Sequence, residues 1–244
     1  FYNLFASCES MTKAPELPAT QLTKGCYLHM FSSCTNLKEA PELPATELEP
    51  DCYSHMFFNC ESLEYIPDLA ATKIAERCCI SMFTSCKKLK KAPKLPATEM
   101  ALSCYAHMFL GCESMETPPE LPATKLAESC YLEMFGDCTN LKEAPELPAT
   151  ELESECYASM FSSCKSLVTA PDLPALSLIE DCYSHMFINC SKLSYVKMMA
   201  IDIYDYNCLS SWLPNSSTGT FIKNAHATWD ESKVIPKGWT VMTN

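Results

Sequence analysis

Residues 26–51 read C-Y-L-H-M-F-S-S-C-T-N-L-K-E-A-P-E-L-P-A-T-E-L-E-P-D, and residues 130–155 read C-Y-L-E-M-F-G-D-C-T-N-L-K-E-A-P-E-L-P-A-T-E-L-E-S-E. Outward from these two copies the pattern C-Y-x-x-M-F-x-x-C-x-x-L-x-x-A-P-x-L-P-A-T-x-L recurs every 26 residues. Cys8, Cys34, Cys60, Cys86, Cys112, Cys138, Cys164 and Cys190 form one series at that period. Cys26, Cys52, Cys78, Cys104, Cys130, Cys156, Cys182 and Cys208 form a second, and only Cys79 falls outside both. Self-similarity at a fixed period is the signature of a solenoid, in which each unit buries its apolar face against the next. No insertion is visible from Phe1 to about Leu213, which gives a solenoid over 1–213 and a capping segment over 214–244, the alternative for the latter being a separate small domain. The array opens mid-repeat, with Phe1 at the Tyr27 position and Phe5 at the Phe31 position. An upstream portion of the same polypeptide is therefore expected.

Two textures alternate within the repeat. Leu48, Cys52, Tyr53, Met56 and Phe57 fall at i, i+4, i+5, i+8 and i+9 and predict one broad stripe on a short helix. Asp51, Ser103, Ser129 and Asp181 lie where such a helix would be capped. In A-P-x-L-P-A-T two prolines forbid a helix interior and set an extended chain whose strand pairing is incomplete. The expected fold class is thus an α/β repeat solenoid of short strand plus short helix. About eight units at ~5 Å per repeat would make a rod or arc on the order of 40 Å long. Beyond Trp212 the period ends. Asn215–Thr220 is turn-rich, Thr220–Lys223 and Gly238–Met242 predict short strands, and Trp229 and Trp239 are placed to cover the last repeat.

Composition narrows the function classes. The 244 residues carry 30 Asp+Glu against 18 Lys+Arg, a formal charge of −12, which opposes binding to nucleic acid or to anionic lipid. No run of eighteen apolar residues occurs, and no basic segment leads into an apolar one as in a signal peptide. With 5 Gly and neither phosphate-loop motif, nucleotide binding is not indicated.

The repeat C-Y-x-x-M-F-x-x-C-x-x-L-x-x-A-P-x-L-P-A-T resembles the BspA-like leucine-rich repeats of surface proteins from anaerobic, often gut-dwelling, bacteria. The tail, with G-T-F-I-K-N-A at 219–225 and I-P-K-G-W-T-V at 235–241, is similar to the ending of such arrays. The resemblance implies a right-handed leucine-rich-repeat superhelix with parallel strands on one face. It also implies display outside the cell or on its surface, and a role in adhesion or recognition of a protein or glycan on a host or neighbouring cell. It brings no catalytic residues.

The periodic residues read as core. The Met30 and Phe31 rows recur at every repeat, and Tyr27, Tyr53, Tyr105, Tyr131, Tyr157 and Tyr183 are expected half-buried with wet hydroxyls. The cysteines read as two ladders of small buried thiols, with disulfides as the alternative; zinc is disfavoured because no C-x₂₋₄-C spacing occurs. His29, His55, His107 and His185 share one position and read as an exposed helix face, the alternative being a metal-sharing or pH-sensitive pair at His29 and His55. Neither a cofactor, a resident metal nor a catalytic constellation is indicated.

Variable positions on the constant frame are the candidate binding surface. In A-P-x-L the x residue is Glu16, Glu42, Asp68, Lys94, Glu120, Glu146 and Asp172, an acidic ridge with one lysine that reads as a solvated row, the alternative being a surface for basic protein patches or weak Ca²⁺. After A-T, Glu47, Lys73, Glu99, Lys125 and Glu151 alternate in sign and predict an inter-repeat ion-pair ladder. Tyr65 and Tyr195 flank the strand as possible contact residues. The reading is a non-enzymatic binding module; the rival is a spacer that holds another domain of a longer protein in place.

Overall fold

The computed structural model describes residues 1–203, 206–214 and 218–244. The chain winds as a stack of coils, one per repeat, around one continuous buried cluster that runs from Leu17 to Trp239. One side of each coil is a ribbon of turns and the other an extended segment.

The turn side corrects the expected helix. The described residues contain no α-helix; the only helical elements are short 3-10 turns at Tyr206–Leu209 and Glu231–Lys233. Across C-Y-x-x-M-F-x-x-C the chain instead makes overlapping turns: the N–H groups of Leu28, Met30, Ser32 and Cys34 donate to the carbonyls of Gly25, Tyr27, His29 and Phe31. The alternate N–H groups point along the stack. Gly25, Tyr27, His29, Phe31 and Ser33 donate to Pro50, Cys52, Ser54, Met56 and Phe58 of the next coil at 2.7–3.0 Å. Every fourth residue takes positive φ, as in Gly25 (62°), His29 (55°) and Ser33 (60°). Asp51, Ser103, Ser129 and Asp181, read above as helix caps, are left-handed turn residues with φ of 57°, 48°, 52° and 50°.

The reason lies in height. Packed helices need about 8–10 Å between axes, whereas hydrogen-bonded strands repeat at about 4.8 Å. A coil with a helix on one side and a paired segment on the other must splay. The turn ribbon rises as little per repeat as the strand side does. Left-handed residues cost about 1–2 kcal/mol each, and the inter-coil hydrogen bonds, worth about 1 kcal/mol net apiece, offset that cost.

Matching heights put identical side chains in register. Phe5, Phe31, Phe57, Phe83, Phe109, Phe135, Phe161 and Phe187 stack with ring centroids 5.4–5.8 Å apart. The tyrosine row is fully buried rather than half-buried: Tyr53, Tyr105, Tyr131, Tyr157 and Tyr183 are each 1% exposed. Cys79 occupies that row between Tyr53 and Tyr105, so it too obeys the period, as a thiol in place of a ring. The Cys34 series has a defined task. The thiols of Cys34, Cys60, Cys86, Cys112, Cys138, Cys164 and Cys190 donate to the carbonyls of Phe5, Phe31, Phe57, Phe83, Phe109, Phe135 and Phe161 at 2.9–3.3 Å. The same Phe31 carbonyl also takes the Cys34 N–H, so both its lone pairs are used. Cysteines from Cys8 through Cys190 are thiols, buried except at Cys8 and Cys26. Burial pushes the Cys60, Cys156 and Cys190 thiols up to about 12.

On the extended side pairing is intermittent, as the prolines require. Single parallel bridges join Lys13 to Glu39, Glu39 to Tyr65, Lys91 to Thr117, Glu143 to Thr169 and Thr169 to Tyr195. Regular strands appear where A-P-x-L-P is replaced by V-K-M-M. There β2 (Tyr195–Met198) pairs in parallel with β4 (Thr220–Lys223), which pairs in parallel with β5 (Thr240–Thr243). A second parallel pair joins β1 (Ser177–Leu178) and β3 (Asp202–Ile203). The period also slips there. Thr169 bridges Tyr195, 26 residues on, but Leu173 bridges Met198, 25 on. One residue is lost between them and restored before Cys208.

The C-terminal segment continues the stack. Thr220–Lys223 is a strand as expected, and the expected strand at 238–242 forms at Thr240–Thr243. Gly219, just before β4, lies so close to the previous coil that a Cβ would sit 2.2 Å from the Ser194 carbonyl oxygen, so no other residue fits there. Trp212, tilted on Phe187, and then Phe221 and Trp229, by edge contacts, extend the phenylalanine column, and the Trp229 indole donates to the Ala200 carbonyl at 2.9 Å. Part of the turn expected at Asn215–Thr220, residues 215–217, lies outside the described residues.

Candidate binding face

The extended segment builds the candidate face. In P-x-L-P the leucine turns inward, as Leu43, Leu95, Leu121 and Leu147 show by burial, which leaves x outside. Glu16, Glu42, Asp68, Lys94, Glu120, Glu146 and Asp172 are all exposed and share one row. Tyr65 and Tyr195 share a second row with Glu39, Thr117, Glu143 and Thr169; Tyr65 is 59% exposed, while Tyr195, held in β2, is half-buried.

The ridge is not uniformly acidic. Lys94 answers Asp68 of the coil before it, with Nζ 3.3 Å from Oδ2 and its backbone N–H donating to Oδ1 at 2.9 Å. That backbone donor, with the ammonium behind it, holds the Asp68 carboxyl below the usual carboxylate range. Asp172 is bound at 2.6 Å by Lys197, and this contact raises the Lys197 ammonium. Sequence reasoning missed Lys197, because the one-residue slip moves it out of its expected register. Among the described residues no ion pair reaches Glu16, Glu42, Glu120 or Glu146.

The alternating row resolves into separate pairs. Glu47 meets Lys73 at 2.5 Å and Glu99 meets Lys125 at 2.6 Å, each across a backbone bridge between the same residues. Lys87 with Glu61, at 2.8 Å, is a further inter-coil pair that the sequence reading did not single out.

The histidine row lies on the turn side and is half-buried, not on an exposed helix face. His29 and His55 stack with ring centroids 4.5 Å apart. Ser54 Oγ lies 2.8 Å from His55 Nδ1, and burial together with His29 and His107 depresses the His55 imidazole to about 4. His107 Nδ1 approaches Glu133 Oε2 to 3.1 Å without hydrogen-bond alignment. Among the described residues no group of three or more His, Cys, Asp or Glu is placed to hold a metal.

Open grooves lie on the extended side, where successive P-x-L-P segments meet. One spans Lys13–Pro18 and Glu39–Pro44 and encloses about 300 Å³. A second spans Thr117–Pro122 and Glu143–Pro148 and encloses about 560 Å³. A third, of about 470 Å³, adjoins it over 144–148 and 171–174. Their walls are proline rings and alanine, and their rims carry the ridge carboxylates. Such a surface can bind through shape and charge. Compared with known proteins, the chain matches no family model and no curated protein.

Proposed function

We propose that this chain is a non-enzymatic binding module whose extended face recognises a protein or glycan, as part of a BspA-like, right-handed repeat array on or outside a bacterial cell. The observation that carries the reading is the contrast between frame and surface. The buried Phe, Tyr, Met and Cys rows scarcely change along the stack. The exposed rows beside P-x-L-P change from Glu to Lys to Tyr to Thr from one coil to the next. A constant frame with varied, solvent-facing positions is how repeat proteins separate stability from recognition. The spacer reading draws support from the unbroken ring column, which would transmit load evenly.

Tyr65→Ala and Asp68→Ala separate the two readings. Each should weaken capture of a ligand, found on glycan and peptide arrays; Tyr65→Ala should leave the melting temperature unchanged, and Asp68→Ala should lower it only slightly, through the lost contacts to Lys94. A spacer would show no array ligand whose capture depends on these positions. Protease shaving of intact producer cells, read with an antibody to this segment, tests the location. Loss of signal while a cytoplasmic control survives is expected; a signal that appears only after lysis overturns the surface assignment.

A further inference from the structure

The groove over Thr117–Pro122 and Glu143–Pro148 differs from its neighbours in charge as well as in size. Its lining includes Glu120, Glu143 and Glu146 and no cation. In the groove over 13–18 and 39–44 Lys13 shares the lining with the carboxylates. In the groove over 171–174 Asp172 is already bound by Lys197. Between the N-terminal and central grooves Lys94 neutralises Asp68. Of these three grooves, the central one joins proline walls to a rim of carboxylates with no cation in its lining.

Resting on the reading of this face as a binding surface, the geometry points to its occupant: an arginine side chain from an extended basic segment of a partner protein, seated between the Pro118–Pro122 and Pro145–Pro148 walls. Apolar walls suit the aliphatic stem and the weakly hydrated flat face of a guanidinium. Carboxylates from adjacent coils, rows about 4.8 Å apart, suit its forked donors, which reach two acceptors where an ammonium acts as a point charge. An anionic glycan would meet like charge here, and a neutral one would leave the carboxylates without partners.

Hexa-arginine and hexa-lysine peptides, titrated by fluorescence anisotropy at about 0.15 M salt, test this. The expected result is binding of hexa-arginine several-fold tighter than hexa-lysine. It should weaken about tenfold or more in Glu120→Gln/Glu146→Gln and change little in Glu49→Gln/Glu153→Gln, whose net charge is the same and whose exposed side chains line none of these grooves. Equal loss in both double variants would mean diffuse attraction to an acidic chain and would overturn the proposal, as would equal affinity for the two peptides or no binding. A different array ligand, displaced by Tyr65→Ala or Glu120→Gln, would refute the arginine occupant while leaving the face a binding surface. No ligand sensitive to any of these positions would remove the broader reading too.

Discussion

His55 joins the charge state of a single ring to the stability of several coils. Its imidazole stacks on His29, and burial with these neighbours lowers its proton affinity to about 4. In the unfolded chain the proton binds near 6.5. Between those values the unfolded state holds more protons, so stability falls as pH drops through the window from 6.5 to 4. The effect is of order 1 kcal/mol after allowance for the ring's wet edge. Urea melts at pH 7 and pH 4.5 should show this loss, and His55→Gln should lose part of the difference. The left-handed residues give a second expectation at this scale. Ser85, at φ 61°, should tolerate glycine within about half a kcal/mol, whereas Ser85→Val should cost about 1–2 kcal/mol in chemical denaturation.

At the scale of the element, the turn ribbon explains both what the sequence reveals and what it hides. Apolar residues at i, i+4, i+5, i+8 and i+9 suit a helix of 3.6 residues per turn, but they suit equally a ribbon whose left-handed residue recurs every fourth position. The deciding signal was the polar set at 25/29/33, 51/55/59 and 181/185/189, where Gly, Asn, Asp, Ser and His tolerate positive φ better than other residues. The extended segment was legible because proline leaves few alternatives. The contacts of Lys197 were not, because they depend on a one-residue slip that no local pattern announces. The cysteine row was readable as buried thiol but not as a donor to the phenylalanine carbonyls, a bond that exists only after stacking. Cys112→Ala should cost about 1–2 kcal/mol in the same denaturation assay, through the lost S–H donor and the space left behind. Iodoacetamide followed by mass spectrometry should label Cys8 and Cys26 first in the native chain, and the buried rows only in denaturant.

Across the whole molecule, each coil touches its neighbours and little else, so stability is close to a sum over adjacent interfaces. Phe109 lies mid-column between Phe83 and Phe135. Phe109→Ala should cost about 3–5 kcal/mol and split a single unfolding transition into two, followed by circular dichroism and by hydrogen exchange of each half. Phe5→Ala, at the end of the column and only partly buried, should cost less and leave one transition. The acidic ridge was legible in the sequence as a row, but its division into paired and unpaired stretches was not. That division depends on which lysine reaches which coil, as Lys94 reaches Asp68 and Lys197 reaches Asp172.

The forward-pointing hydrogen bonds of the turn ribbon have an electrical consequence. From Tyr27 to Cys52, Tyr53 to Cys78, Tyr105 to Cys130 and on to Cys208, every link in the column runs N–H toward the C-terminal coil and C=O toward the N-terminal one. The columns through Gly25, His29, Phe31 and Ser33 run the same way, whereas on the extended side Ala40 donates forward to Tyr65 and Tyr65 donates back to Lys38. Peptide dipoles of about 3.5 D therefore add along one flank of the stack and cancel on the other. The solenoid is a lopsided electret. Its negative pole lies at the N-terminal coil, the reverse of an α-helix, and its dipole moment grows with each repeat added.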